Sequence, residues 1–133
     1  MRSFKLDIVS PDGAIFSGEA ERLLARTTDG DVEILAGHTD LFATLGTGRV
    51  KLTTADGVKY GSSSGGLLTV RGGEVTLAAI SFEFADTIDE ERAERAMARA
   101  EERIREAKDK QELELAKARL ARALNRINVA RLK

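Results

Sequence analysis

Thr87-Ile88-Asp89-Glu90-Glu91-Arg92-Ala93-Glu94-Arg95-Ala96-Met97-Ala98-Arg99-Ala100 lies within the sixty residues from Glu74 to Lys133 that contain neither glycine nor proline. Apolar residues recur there at Ile88, Ala93, Ala96, Met97, Ala100, Ile104 and Ala107, the spacing of one helix face. A second stripe follows at Leu113, Ala116, Leu120, Ala123, Leu124, Ile127 and Ala130, and Lys108-Asp109-Lys110-Gln111 breaks the phase between them. Thr87 with Glu90 has the form of a capping box, with Thr87 as N-cap. The first helix is expected to be roughly 30 Å long. Both stripes are rich in alanine, which lets two helices approach closely, so an antiparallel hairpin is the expected packing. The junction carries neither Gly nor Pro, and one continuous helix of roughly 65 Å is the alternative. An alanine interface buries little area, so two states of this segment can lie close in free energy.

The residues before this tract follow another rule. All twelve glycines lie between Gly13 and Gly73, and the single proline is Pro11. Phe4 to Val9 alternates apolar and polar, which predicts a half-buried strand. Ser10-Pro11-Asp12-Gly13 is a turn, because Pro presets φ and Gly accepts φ > 0. Further strands are expected at 14–18, 20–28, 32–35, 47–54, 58–60, 67–70 and 74–80. The Ala55-Asp56-Gly57 and Arg71-Gly72-Gly73 turns close two hairpins. Strands at this spacing argue for a sandwich or flattened barrel. The fold class expected is therefore α+β: a β-sandwich of short antiparallel strands over residues 1–86, then an antiparallel helical hairpin over 87–133.

Charge divides at the same place. Residues 1–86 hold 8 basic and 12 acidic side chains, a net −4, and residues 87–133 hold 13 and 10, a net +3. The whole chain of 133 residues is at −1, so no global field favours nucleic acid. Cysteine and tryptophan are absent, which removes disulfides, thiolate metal sites and a cysteine nucleophile. The first residues have no apolar core of a signal peptide, and no uncharged run is long enough to span a bilayer. A chain that is not exported is the expectation.

Few motifs carry chemistry. Gly61-Ser62-Ser63-Ser64-Gly65 matches G-x-S-x-G, but that elbow needs a helix after the serine, and another strand follows here. The segment is read instead as a Gly-rich turn and strand edge. The one histidine, His38, cannot build a multi-histidine metal site. There is no P-loop and no calcium loop. The last helix is more informative. After Glu114 no acidic residue follows, and Arg119, Arg122 and Arg126 advance by three and four along one face. Such a stripe suits a phosphate group or an acidic protein surface.

Four segments, taken together and in order, carry a resemblance. They are Ile8-Val9-Ser10-Pro11-Asp12-Gly13, Gly30 to Thr39, Ser64-Gly65-Gly66-Leu67-Leu68-Thr69-Val70, and Ile88-Asp89-Glu90-Glu91-Arg92-Ala93. The chain resembles the epsilon subunit of bacterial-type F-type ATP synthase over nearly its whole length. It departs from the common pattern at Glu33, where Gly is usual, at Ala36, where Pro is frequent, and at Leu67, where an aromatic is common.

The resemblance implies a non-catalytic rotor subunit, peripheral at the cytoplasmic face of the cell membrane. Its implied partners are the gamma subunit, the ring of c subunits, and the catalytic alpha and beta subunits. It implies that Gly37, His38 and Thr39 lie at the rotor interface. It also implies a helical arm that blocks ATP hydrolysis when extended, through the basic face Arg119, Arg122 and Arg126. No cofactor is implied, but some members bind ATP in the folded hairpin as a regulatory ligand. The motif Ile/Leu-Asp-x-x-Arg-Ala is met by Ile88, Asp89, Arg92 and Ala93. By that likeness Glu83 and Asp89 face the adenine end, and Arg92, Arg99, Arg122 and Arg126 surround the phosphates. Two other readings stand beside it: a free-standing sandwich with a dimerising hairpin, and a serine hydrolase built on Ser63.

Overall fold

The computed structural model describes residues 2–132. Eight strands come first: β1 (Phe4–Ser10), β2 (Gly13–Ala20), β3 (Arg22–Thr27), β4 (Gly30–Leu35), β5 (Leu41–Thr44), β6 (Gly48–Thr54), β7 (Gly57–Arg71) and β8 (Glu74–Phe84). A 3₁₀ turn at Ala85–Thr87 leads to α1 (Glu90–Glu106) and α2 (Lys110–Ala130). The strand order is β2-β1-β8-β7-β6-β3-β4, with β5 paired to β7 off that path. All pairings are antiparallel except β1 with β8, which run parallel.

Two long strands turn this sheet into two layers. The first half of β7 pairs with β6, from Gly48↔Ser63 to Thr54↔Gly57. Its second half pairs with β5, from Leu41↔Val70 to Thr44↔Leu67. The change of partner falls at Gly65 and Gly66, whose φ values of 71° and 112° suit glycine alone. A Cβ on Gly66 would run into the Ala78 carbonyl of β8. One core lies between the layers: Phe4, Leu6 and Ile8 of β1, Leu23 and Ala25 of β3, Ile34 of β4, Val50 and Leu52 of β6, Leu68 and Val70 of β7, and Val75 and Leu77 of β8. Alternation in β1 and β6 puts every second side chain into it.

The sandwich differs from the sequence expectation in three places. β7 and β8 are long, at 15 and 11 residues, and the sheet stays open, so it is a sandwich and not a flattened barrel. β5 falls where no strand was expected, because four residues at an edge carry too short a pattern. Gly61 to Gly65, expected as a Gly-rich turn and strand edge, runs inside β7 with Phe82 opposite Ser63. Ser63 is 2% exposed, and no helix follows it, so the nucleophile-elbow geometry is absent there.

The hairpin forms with a sharp break between its helices. α1 spans 17 residues, about 25 Å at the usual rise, and α2 spans 21. Asp109 ends the ambiguity over a continuous helix: its carboxylate accepts from the Glu112 N–H at 2.8 Å, while Glu112 accepts from the Lys108 N–H at 3.0 Å. This reciprocal cap begins α2 without Gly or Pro. At the other end the N-cap of α1 is Asp89, which accepts from the Arg92 N–H at 3.0 Å. Thr87, the expected cap, instead donates to the Phe84 carbonyl at 2.8 Å. An acceptor two residues further on wins because Thr87 itself ends the 3₁₀ turn Ala85–Thr87. The helices meet on Ala93, Ala100, Ala116 and Ala123, all buried.

α2 lies against β6 and β7 of the sandwich. Asn125 donates from Nδ2 to the Gly48 carbonyl and to Ser62 Oγ, both at 2.9 Å. Arg126 Nε donates to Glu83 Oε1 at 3.1 Å. A small cluster of Ala85, Ile88, Val129 and Ala130, with Tyr60 beside it, closes the base of the hairpin. Arg131 Nε reaches Glu90 at 2.7 Å, tying the end of α2 to the start of α1.

Candidate functional site

Three elements meet where β8 ends. β8 contributes Glu83, α1 contributes its cap and first turn, and α2 returns with Arg126. A cleft of about 270 Å³ there is lined by Glu83, Thr87, Ile88, Asp89, Arg92, Ala93 and Arg126. Its apolar floor comes from Ile88 and Ala93, both buried, and its rim holds two carboxylates and two guanidiniums. The Asp89 carboxylate is committed to the first turn of α1 by its hydrogen bond from the Arg92 N–H. That bond fixes the Arg92 backbone in the first turn of α1, where the helix dipole favours negative charge.

A second cleft of about 290 Å³ continues along the seam between the helices. It is lined by Ala96, Arg99, Ala100, Arg103, Arg119, Arg122 and Arg126. Arg126 lines both clefts, which adjoin there and together are termed the groove. Arg99 and Arg103 are one turn apart on α1, and Arg119, Arg122 and Arg126 share the facing side of α2. No carboxylate lines this stretch. Among the described residues, Arg126 has its Glu83 partner, while Arg99, Arg103, Arg119 and Arg122 take part in no salt bridge. Guanidiniums gathered on two helices with no salt-bridge partner for four of them repel one another, and a bound anion relieves that repulsion through charge-assisted hydrogen bonds.

Glu83, Ile88, Asp89, Arg92, Ala93 and Arg126 thus share one cleft, and Arg99 and Arg122 line its continuation. Arg119, read in the sequence only as part of a basic face, lines the same groove. Thr87, read only as a helix cap, and Arg103 were not expected at the site. Arg103 lies four residues beyond Arg99, a spacing that could have found it. Asn125 left no signal, since its partners lie on strands 77 and 63 residues away in sequence.

Gly37, His38 and Thr39 are elsewhere, in the loop between β4 and β5. Gly37 has φ 81°. The His38 backbone N–H donates to the Leu35 carbonyl at 3.1 Å, and His38 Nδ1 donates to the Thr39 carbonyl at 2.6 Å. Asp40 accepts from the Gly72 N–H at 3.0 Å, pinning the loop to the β7–β8 turn. Phe42 follows at 73% exposed. Among the described residues there is no group of three metal-ligating side chains, and no helix is long and apolar enough to cross a membrane.

This architecture matches two family models in succession. Residues 3–85 match the beta-sandwich domain of the ATP synthase delta/epsilon chain, and residues 86–131 match its long alpha-helix domain. The chain belongs to the ATP synthase delta/epsilon family. It is 38% identical over 130 residues to the ATP synthase epsilon chain of Bacillus velezensis, covering 98% of each chain. It is 37% identical over 134 residues to that of Ruminococcus albus, covering 100% of each. The fold is similar to that of a chain in the cryo-EM structure of the Euglena gracilis mitochondrial ATP synthase OSCP/F1/c-ring assembly. The TM-score there is 0.82, at 21% identity, over 98% of this chain and 82% of that one. A chain from the Tetrahymena thermophila mitochondrial ATP synthase central stalk and c-ring gives 0.69 at 13% identity, over 97% of each.

Proposed function

We propose that this chain is a non-catalytic central-stalk subunit that joins the gamma subunit and the c-ring to the catalytic alpha and beta subunits, at the cytoplasmic face of the membrane. Residues 1–86 hold it in the rotor, with Gly37, His38 and Thr39 at that interface. Residues 87–133 form an arm that restrains ATP hydrolysis when it leaves the sandwich, presenting Arg119, Arg122 and Arg126 to acidic segments of the catalytic subunits. Family membership supports the first part. The slender attachment of the hairpin, through a few polar contacts of Asn125 and Arg126 on α2, supports the second.

The same arm senses ATP in its docked state. The observation that carries this is the composition of the groove: Glu83 comes from β8, Arg92 and Arg99 from α1, and Arg122 and Arg126 from α2. These side chains converge only when the hairpin is closed and docked. A ligand held by all of them has no equivalent site on an extended arm, so it favours the docked state by its differential affinity. Glu83 and Asp89 supply acceptors for the exocyclic amine of an adenine lying on Ile88 and Ala93. Arg92, Arg99, Arg122 and Arg126 take the triphosphate, four guanidiniums replacing a P-loop. Arg122 and Arg126 cannot bind phosphate and a catalytic subunit together, which makes docking and inhibition mutually exclusive.

Calorimetric titration of the isolated chain tests this. Saturable ATP binding is expected, with ADP weaker. Arg92→Ala and Arg126→Ala should each weaken it by roughly tenfold or more, the value of one charge-assisted contact. Unchanged affinity in both variants would remove the nucleotide site.

A further inference from the structure

The arginine groove is longer than a nucleoside triphosphate needs. Along α1 it runs from Arg92 to Arg103, about 16 Å at the helical rise, and along α2 from Arg119 to Arg126, about 10 Å. Arg92, Arg99, Arg122 and Arg126 are assigned to three phosphates above. Arg103 and Arg119 remain, facing each other at the far end of the same cleft without a salt-bridge partner among the described residues. Beyond them the lining changes. The adjoining cleft of about 250 Å³ keeps Arg103 and Arg119 but adds Glu106 and Glu112. Carboxylates therefore close the track at both ends, with Glu83 and Asp89 at one and Glu106 and Glu112 at the other. Arg92, Arg99, Arg103 and Arg119 are exposed and Arg122 and Arg126 half-buried, so the track is an open surface cleft along the seam, accessible to an anion and bounded by carboxylates at both ends.

We propose that this groove is a polyphosphate track, in which Arg103 and Arg119 contact a phosphate beyond the third. The ligand class is a linear chain of four or more phosphates, carried on a nucleoside or as free inorganic polyphosphate. The inference deepens the nucleotide reading and rests on it for the placement of the first three phosphates. Arg103 and Arg119 come from different helices, so the added contact also clamps the hairpin shut at its open end. A longer chain therefore holds the arm docked more firmly than ATP does.

The test is calorimetry on the full chain at fixed ionic strength, with ATP, adenosine 5′-tetraphosphate, inorganic tripolyphosphate and long-chain inorganic polyphosphate as probes. The variant is Arg103→Ala with Arg119→Ala. The control is Arg95→Ala with Lys117→Ala, which removes the same charge from exposed positions that do not line the groove. The tetraphosphate should bind roughly tenfold tighter than ATP, the worth of one further charge-assisted contact. The double variant should abolish that preference while leaving ATP within about twofold, and the control should keep it. Equal affinity for ATP and the tetraphosphate, or a preference that survives the double variant, overturns the proposal. ATP binding without the preference removes the track and leaves the nucleotide reading intact. Long-chain polyphosphate bound through Arg103 and Arg119 without any ATP binding removes the adenine assignment and keeps the track. If no probe binds, both fall.

Discussion

Asn125→Ala is the substitution that most directly loosens the arm. In the docked hairpin the Asn125 amide donates to the Gly48 carbonyl and to Ser62 Oγ, both at 2.9 Å. Gly48 and Ser62 are buried, so water does not fully replace the lost donor. Two such bonds are worth about 1 kcal/mol each, for a total of about 2 kcal/mol. That is about a thirtyfold shift toward the undocked state. Isolated helices of this length are marginal in water, so an undocked α2 frays and its amides exchange with solvent. Native-state hydrogen exchange on the isolated chain should show α2 amides exchanging about thirtyfold faster. Amides of β1, β6 and β8 should keep their wild-type rates, since their core does not depend on the hairpin. Unchanged α2 protection would refute the claim that these bonds hold the arm. An equal loss of protection in the sandwich would refute the claim that the arm undocks on its own.

Other outcomes follow from single features of the fold. Gly66→Ala forces a side chain onto φ 112° and into the Ala78 carbonyl, so urea unfolding should show a loss of about 3 kcal/mol or a failure to fold. Asp109→Ala removes the cap that starts α2; circular dichroism should show about 1 kcal/mol less stability of the helical hairpin with the sandwich unaffected. The hydrogen bond from Arg26, followed by its charge, holds the Asp31 carboxyl below the usual carboxylate range. A folded-state pKa lowered in this way contributes stability that is complete above the unfolded value of about 3.9 and is lost as pH falls below it. Asp31→Asn should therefore be less stable than wild type at neutral pH, by less than about 1 kcal/mol for so exposed a pair, and the gap should close below about pH 4.

How much of this was legible in the sequence depended on whether the deciding interaction was local. The helix stripes and the turns at Asp12-Gly13, Asp56-Gly57 and Gly72-Gly73 are short-range signals, and they placed both helices and most strands. The Gly61–Gly65 stretch misled because Gly65, with Gly66 after it, marks a change of strand partner within β7. Whether a glycine pair ends a strand or bends it is decided by Ala78 and Ile80 on the neighbouring strand, which local pattern does not contain. Thr87 and Asp89 are both good caps, and the choice fell to the 3₁₀ turn that Thr87 ends. The parallel pairing of β1 with β8 joins the two ends of the sandwich and has no local signature. In the groove, Arg122 with Arg126 was visible from helical spacing, and Arg92 with Arg99 came from the resemblance. Their convergence required the antiparallel register of α1 on α2, which is set by four buried alanines and by the Asp109 cap.

The central claim is that the arm must leave the sandwich to restrain hydrolysis. Val58 on β7 and Leu132 after α2 line one cleft and are 49% and 39% exposed, and the chain has no cysteine of its own. A variant carrying Val58→Cys and Leu132→Cys can be joined by a short bis-maleimide and assembled into an ATP synthase that lacks this subunit. The measurement is ATP hydrolysis with the joined and the unjoined variant. The account predicts that the unjoined form restrains hydrolysis and that the joined form assembles but does not. Equal restraint by both forms would contradict it, because an arm fixed to the sandwich would then be inhibiting without moving.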